Sequence, residues 1–292
     1  MKSQSETSSV LIVGADGIIG GSLVVAFETA KKSVWQTTRH HDRVSQRRLL
    51  FDLSEDVSER PLPPEAIGTA IICAAVTSTQ RCRLEPETSR RVNVLGTVDL
   101  AERLIDAGTF VIFLSTNAVF DGETPFSKAT DPTNPQTEYG RLKAEAEERL
   151  LELGDRVAVA RFGKIIAPRM PLFADWAACL KAGKAIRPFS DMVMAPVSLS
   201  FAVEVLRRIV QWQLHGITQV SATEDITFAN AARYLANNLC ADASLIEPVS
   251  FKESEFEFSP RHTTLDSTRL AECGLHPPPP TSALDQLDLQ IS

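Results

Sequence analysis

The chain of 292 residues holds only two tyrosines and three tryptophans, and no apolar run reaches the roughly 18 residues that would cross a bilayer. No membrane-embedded role is expected. Its five cysteines (Cys73, Cys82, Cys179, Cys240 and Cys273) are odd in number and lack CxxC spacing. That excludes a disulfide framework and a zinc site, and reads as reduced thiols in a cytoplasmic protein. The five histidines (His40, His41, His215, His262, His276) show no ligand spacing either, so no metal is expected. Positive charge is in short supply, with 30 Lys and Arg against 37 Asp and Glu and a net charge of -7. Nucleic acid and anionic membrane surfaces are therefore disfavoured as partners. The opening MKSQSETSS is polar, lacks the apolar core of a secretory signal, and reads as a frayed tail.

What is present is a 43% hydrophobic, 23% charged globular composition in which short apolar runs alternate with helical periodicity. Strands are expected at 10–13, 34–37, 49–53, 69–76, 110–114 and 157–161. Helices are expected from Gly21 to about Ala30, over the Val92–Ile105 periodicity that Gly108 ends, and over Tyr139–Leu153, capped by Gly154. Alternation of this kind predicts an α/β fold: a doubly wound parallel sheet, the Rossmann arrangement. We place this nucleotide-binding domain at 1–165. Beyond it, Pro168, Pro171, Phe173, Trp176, Pro188, Phe189 and Pro196 stand in irregular surroundings, then a helix is expected at 200–214, a strand at 216–222 and a helix at 228–239. Residues 166–292 are read as a smaller substrate-binding lobe, with 197–222 returning to the first domain. Pro277–Pro280 is expected to be extended and stiff. The acidic stretch 144–152 (AEAEERLLE) reads as a solvated helix face with internal ion pairs.

Gly14-Ala15-Asp16-Gly17-Ile18-Ile19-Gly20 follows the first strand and opens the first helix. Glycine permits a tight turn and close approach to a pyrophosphate, while the helix N-terminus presents free N–H groups and partial positive charge. In this strand–turn–helix setting the spacing GxxGxxG points to a dinucleotide site. The end of the second strand reads Thr37-Thr38-Arg39-His40-His41, with no acid to hold a ribose 2′-hydroxyl. Arg39 suits a 2′-phosphate, so NADP(H) is favoured over NAD(H). Asp52 and Leu53, at the end of the third expected strand, could flank the adenine.

Tyr139 has Lys143 four residues on, a spacing that puts both on one helix face. A nearby ammonium favours tyrosinate and lowers the phenol pKa, so the phenol is a candidate proton donor or acceptor for a carbonyl–alcohol pair. Ser115 and Thr116 end the 110–114 strand, where ligands bind in open α/β sheets. Either hydroxyl can bond a reacting oxygen or simply cap the strand. Asn93 can relay a proton through water to Lys143 or cap a helix.

These blocks resemble the extended short-chain dehydrogenase/reductases, in particular the dTDP-4-dehydrorhamnose reductase branch. The likeness rests on the glycine loop, Asn93-Val-Leu-Gly96-Thr97, Leu114-Ser-Thr-Asn-Ala-Val-Phe-Asp-Gly122, Pro125-Phe126, and Tyr139-Gly-Arg-Leu-Lys143. It continues more weakly through Arg161, Ser190-Asp191, Ala195-Pro196 and Pro260-Arg261. The resemblance implies that Thr116, Tyr139 and Lys143 form a catalytic trio. It also implies cofactor contacts from Gly14, Asp16, Gly17, Ile18, Ile19, Gly20, Arg39, Asp52, Leu53, Ala74, Ala75, Asn93, Ser115, Tyr139 and Lys143. A nucleotide-linked 4-keto sugar, or a similar keto substrate, would meet Asn117, Ala118, Arg161 and Lys164 in a cleft between lobes.

The chain departs from the branch in its expected sugar pocket. Asn117-Ala118 stands where the branch has Asp-Tyr, Asp191-Met192 replaces Asp-Gln, and the Phe162-Gly-Lys164 stretch lacks the usual tryptophan. Hence a second reading: a non-catalytic NADP-binding regulatory subunit resembling that of methionine adenosyltransferase. A third, an NAD-retaining epimerase or dehydratase, is disfavoured by the missing acid after the second strand. A homodimer is compatible with the chain, although no apolar stripe marks its surface.

Overall fold

The computed structural model describes residues 9–253 and 258–289. The tail read at the N-terminus lies, apart from Ser9, outside the described residues. Residues group into two compact units. One comprises Met1–Phe120, Pro132–Arg161 and Val203–Thr218; the other comprises Asp121–Asp131, Phe162–Ala202 and Gln219–Ser292.

In the first unit, β1 (Ser9–Val13), α1 (Ile18–Thr29), β2 (Val34–Thr38), β3 (Arg48–Leu50) and β4 (Ile67–Ile72) come in order. They are followed by α2 (Thr79–Leu84), α3 (Pro86–Arg90), a π-helical turn at Arg91–Leu95 and α4 (Gly96–Asp106). Next come β5 (Phe110–Thr116), a 3₁₀ turn at Asn117–Val119, α5 (Glu138–Leu151) and β6 (Val157–Phe162). Every residue of β1 is buried, and so is every residue of β6, as strands covered on both faces require. Apolar side chains of β4 and β5 (Ile72, Val111, Phe113) pack with Leu142, Ala146 and Leu150 of α5 into one core. Gly108, at φ +87°, ends the α4 turn as expected of a left-handed cap.

The central sheet has seven strands in the order β10-β6-β5-β4-β1-β2-β3, where β10 is Gly216–Val220. The register is parallel wherever β1 meets β2 and β4, and wherever β3 meets β2 and β5 meets β4. Strand order reverses between β1 and β4, the switch point at which such sheets open a crevice beyond their carboxyl ends. The opposite edge is tied shut. The Glu65 carboxylate accepts hydrogen bonds from Ser9 Oγ (2.5 Å), Trp35 Nε1 (2.7 Å) and Ser33 Oγ (2.9 Å), and those donors hold its pKa down at about 2.

Two strand expectations are corrected. The 49–53 strand is only Arg48–Leu50, so Asp52 and Leu53 lie beyond it. The 69–76 run leaves the sheet at Cys73, where the Cys73 and Ala74 amides both reach back to Val13 O.

The second unit contains β7 (Ile165–Ile166), α6 (Pro171–Lys181), β8 (Val193–Met194), β9 (Val197–Ser198), β11 (Ile226–Thr227), α8 (Phe228–Asn238) and α9 (Thr281–Leu284), while α7 (Leu199–Trp212) spans the boundary. The supposedly irregular Phe173 and Trp176 belong to α6, which Pro171 starts from a position where its missing N–H costs nothing. Their rings meet edge to face at 5.5 Å, and Trp176 meets Phe228 in the same way at 6.4 Å. Pro280 takes helical dihedrals ahead of α9, so the proline run is not extended throughout.

Candidate active site

The glycine loop is shaped by contacts that admit no side chain. Gly14 has φ +86°, and a Cβ there would lie 2.8 Å from the backbone of Ala74. A Cβ on Gly20 would lie 2.3 Å from Gly14 O. Gly17 caps α1 without any side-chain hydrogen bond, and Ile18 is 64% exposed at its first turn. The loop's first amide is fixed by Thr37, with Gly14 N donating to Oγ1 at 2.9 Å. The result is a bare backbone cradle at the switch point, with Ala74 forming its wall and Ala75 following.

Asp16 gathers more partners than the sequence suggested. It accepts from Thr38 Oγ1 (2.6 Å), Arg43 (2.9 Å) and Arg48 (3.0 Å). Its carboxyl pKa falls, because these bonds and charges outweigh burial, which is the largest single influence and acts upward. Arg48 Nε is buried with no partner. Arg39 is exposed and makes no hydrogen bond or ion pair among the described residues. Two guanidiniums, those of Arg43 and Arg48, thus hold one carboxylate. Arg43 and Arg48 carried no signal in the sequence beyond their sign.

The α5 helix places Tyr139 and Lys143. Thr137 caps it, its Oγ1 accepting from Gly140 N at 3.1 Å. A Cβ on Gly140 would lie 2.2 Å from Ala118 O, so the first turn of α5 lies directly on the segment following β5. The structure therefore brings Thr116, Asn117 and Ala118 together with Tyr139. Thr116 Oγ1 accepts from Ala118 N at 3.2 Å and donates to Asn117 Oδ1 at 3.3 Å. Ser115 Oγ is buried with no partner. The Tyr139 hydroxyl also lacks a hydrogen-bond partner among the described residues.

Lys143 is 3% exposed, and its Nζ stands 3.9 Å from the centre of the Phe113 ring on β5. Burial lowers its pKa to about 8. Burial raises the Tyr139 phenol above its ordinary value, with the Cys82 thiol adding to the rise. This corrects the expectation of a phenol lowered by its lysine: loss of hydration raises it, so Tyr139 stays a protonated acid at neutral pH. Burial pushes the Cys73 thiol, which adjoins Ala74, up to about 12, so it is uncharged at neutral pH.

Other residues expected at the site have partners within the chain. Arg161 is buried in a pair with Glu147, its Nε and Nη2 donating at 2.7–3.1 Å. Asn93 caps no helix. Its side chain clamps Val76 from both sides, Oδ1 accepting from Val76 N at 2.7 Å and Nδ2 donating to Val76 O at 2.9 Å. Asp52 caps its own turn through Ser54, and Leu53 is buried beside Gly96. Lys164, in the second unit, is exposed, and Val197 N donates to its carbonyl. Glu147 was missed altogether, being counted with a solvated face.

Three known proteins show what the chain is similar to. A probable low-salt glycan biosynthesis reductase, Agl14, of Haloferax volcanii is 24% identical over 96% of this chain and 97% of its own. The methionine adenosyltransferase 2 subunit beta of Bos taurus is also 24% identical, over 91% of this chain and 82% of its own. Among solved structures, dTDP-4-dehydrorhamnose reductase from Bacillus anthracis in complex with NADP superposes with a TM-score of 0.83 at 19% identity, covering 99% of this chain and 100% of that one. The sequence profile of the RmlD substrate binding domain matches residues 8–287, and the chain belongs to that family.

Proposed function

We propose that this protein is an NADP(H)-dependent reductase of a nucleotide-linked 4-keto sugar or a similar keto substrate. The observation that carries the reading is the pairing of an unpartnered, protonated Tyr139 phenol with the buried Lys143 ammonium, on a helix seated against the end of β5. The chain's residues fit the cofactor. Gly14 and Gly20 leave a cradle that a single Cβ would fill, and Ser115 Oγ is a buried donor lacking an acceptor. Gly14, Asp16, Gly17, Ile18, Ile19 and Gly20 would form the pyrophosphate loop, Ala74 and Ala75 its wall, and Ser115 with Lys143 the nicotinamide end. Arg39, exposed directly after β2, would take a 2′-phosphate, which favours NADP(H) over NAD(H).

When bound, the nicotinamide supplies the hydride. Tyr139 donates its phenolic proton to the nascent alkoxide, a transfer suited to an acid that stays protonated at neutral pH. Thr116 exchanges its long contact with Asn117 for a hydrogen bond to the same oxygen. Lys143 supplies positive charge beside the developing anion. Asn117 and Ala118 would shape the substrate pocket, with alanine removing the contact area of an aromatic ring.

The test is NADPH oxidation by the purified chain over a panel of nucleotide-linked 4-keto sugars. Tyr139→Phe should lower turnover by about 10²–10⁴ while leaving NADPH affinity unchanged. Turnover by this variant at the wild-type rate would refute the mechanism. Tight NADPH binding without turnover of any keto sugar would favour a regulatory subunit.

A further inference from the structure

One acid on the charged helix is not solvated. Glu147 is 2% exposed and its partner Arg161 is 3% exposed. Arg161 Nε donates to both carboxylate oxygens, at 3.1 and 3.0 Å, and Nη2 donates to Oε2 at 2.7 Å. The guanidinium also lies 5.0 Å above the Phe120 ring. Burying two charges costs so much hydration that well-packed apolar residues would serve stability as well or better. The pair therefore calls for a reason other than stability.

Its position supplies one. Glu147 follows Lys143 by four residues and Tyr139 by eight, so the three side chains descend one face of α5. The Lys143 ammonium has no hydrogen-bond acceptor among the described residues, only the face of Phe113. Burial drives it toward the neutral amine, and Glu147 acts against that. The other titratable groups facing Lys143 do not supply negative charge at neutral pH. Tyr139 is raised by burial, and so are the thiols of Cys73, to about 12, and Cys82. Arg161 is directed at Glu147 and orients its carboxylate.

We propose that Glu147, fixed by Arg161, is a positioning residue whose carboxylate keeps the Lys143 side chain an ammonium at neutral pH. This rests on the reading of Tyr139 and Lys143 as the reacting pair, but the residues and the charge effect can be measured without turnover.

The experiment is a titration of the full chain carrying lysine labelled with carbon-13 at Cε, with the Lys143 resonance assigned by its loss in Lys143→Met. Wild type should titrate near 8. Glu147→Gln should move that midpoint down by about one pH unit or more, as removal of a close opposite charge does. Glu147→Asp, which keeps the charge, should restore most of it. NADPH affinity of Glu147→Gln should fall about threefold or more at pH ~7.5 and recover at pH ~6, a recovery that a purely structural lesion would not show. Should the single variant fail to fold with Arg161 uncompensated, the double variant Glu147→Gln/Arg161→Gln, which buries no lone charge, should still titrate below wild type. A midpoint unchanged in either variant overturns the proposal. A midpoint that falls in a protein that reduces no keto substrate would leave the charge effect standing and remove the proposed function instead.

Discussion

Two neighbouring glycines in α1 allow the cradle to be tested with an internal control. Alanine is a better helix former than glycine by about 0.8–1.0 kcal/mol, so Gly20→Ala and Gly21→Ala gain alike from propensity. They differ in what the new methyl meets. On Gly21 the nearest atom is Ala15 O at 3.4 Å, an ordinary contact, whereas on Gly20 it is Gly14 O at 2.3 Å, with Gly14 C at 2.9 Å and Ala15 Cα at 3.0 Å. All three are backbone atoms, so no rotamer change relieves the overlap, and the loop has to move by about 1 Å to regain normal separation. Overpacking of that size costs about 1–3 kcal/mol. Gly21→Ala should therefore melt at or above wild type, and Gly20→Ala about 2–6 °C below Gly21→Ala. The displaced atoms are those that would face the pyrophosphate, so NADPH affinity, followed by fluorescence titration, should fall about tenfold or more in Gly20→Ala and stay near wild type in Gly21→Ala. Equal melting temperatures and equal affinities in the two variants would refute both the steric account and the placement of the cofactor.

Two further outcomes follow from charged groups. Arg39→Ala should weaken NADPH binding by about tenfold or more and leave NADH unaffected, since a charge-assisted bond to phosphate is lost only with the former; equal loss for both would assign Arg39 a role unrelated to the 2′-phosphate. Lys143 has its folded pKa, about 8, below the ordinary lysine value, so the unfolded chain binds the extra proton between pH 8 and about 10.4 and stability should rise with pH across that window. Relative to wild type, Lys143→Met should be most stabilising below pH 8, with the gap closing by order 3 kcal/mol toward pH ~10 in urea titrations; a pH-independent gap would contradict the burial of a charged lysine.

The fold was legible where period and punctuation agreed. β1, α1, β5 and β6 follow directly from apolar runs bounded by glycine or polar breaks. The third strand was over-extended because Phe51 and Leu53 are apolar for a different reason: they pack into the core after the strand has ended. Likewise Cys73–Val76 continue an apolar run, yet the chain bends there to meet Gly14 and the Asn93 clamp, contacts of long sequence separation that no local pattern encodes. Proline hid α6, since Pro171 starts a helix as readily as it breaks one. In the site, Tyr139 and Lys143 were readable from a four-residue spacing. Glu147 shares that same spacing and was passed over because a glutamate among glutamates looks solvated. Its partner lies on β6, and only the fold turns that one acid inward. The raised phenol pKa was illegible for a similar reason, since burial is a property of the surroundings and not of the neighbour four residues on.

The Glu65 knot has a consequence for how this scaffold can change. One carboxylate draws the hydroxyls of Ser9 and Ser33 and the Trp35 indole into a single rivet on the amino-terminal rim. The idle hydroxyls of Ser115 and Tyr139 belong to the carboxyl-terminal side. Side chains of the carboxyl-side loops can thus be exchanged while the rivet holds the first two strands in alignment.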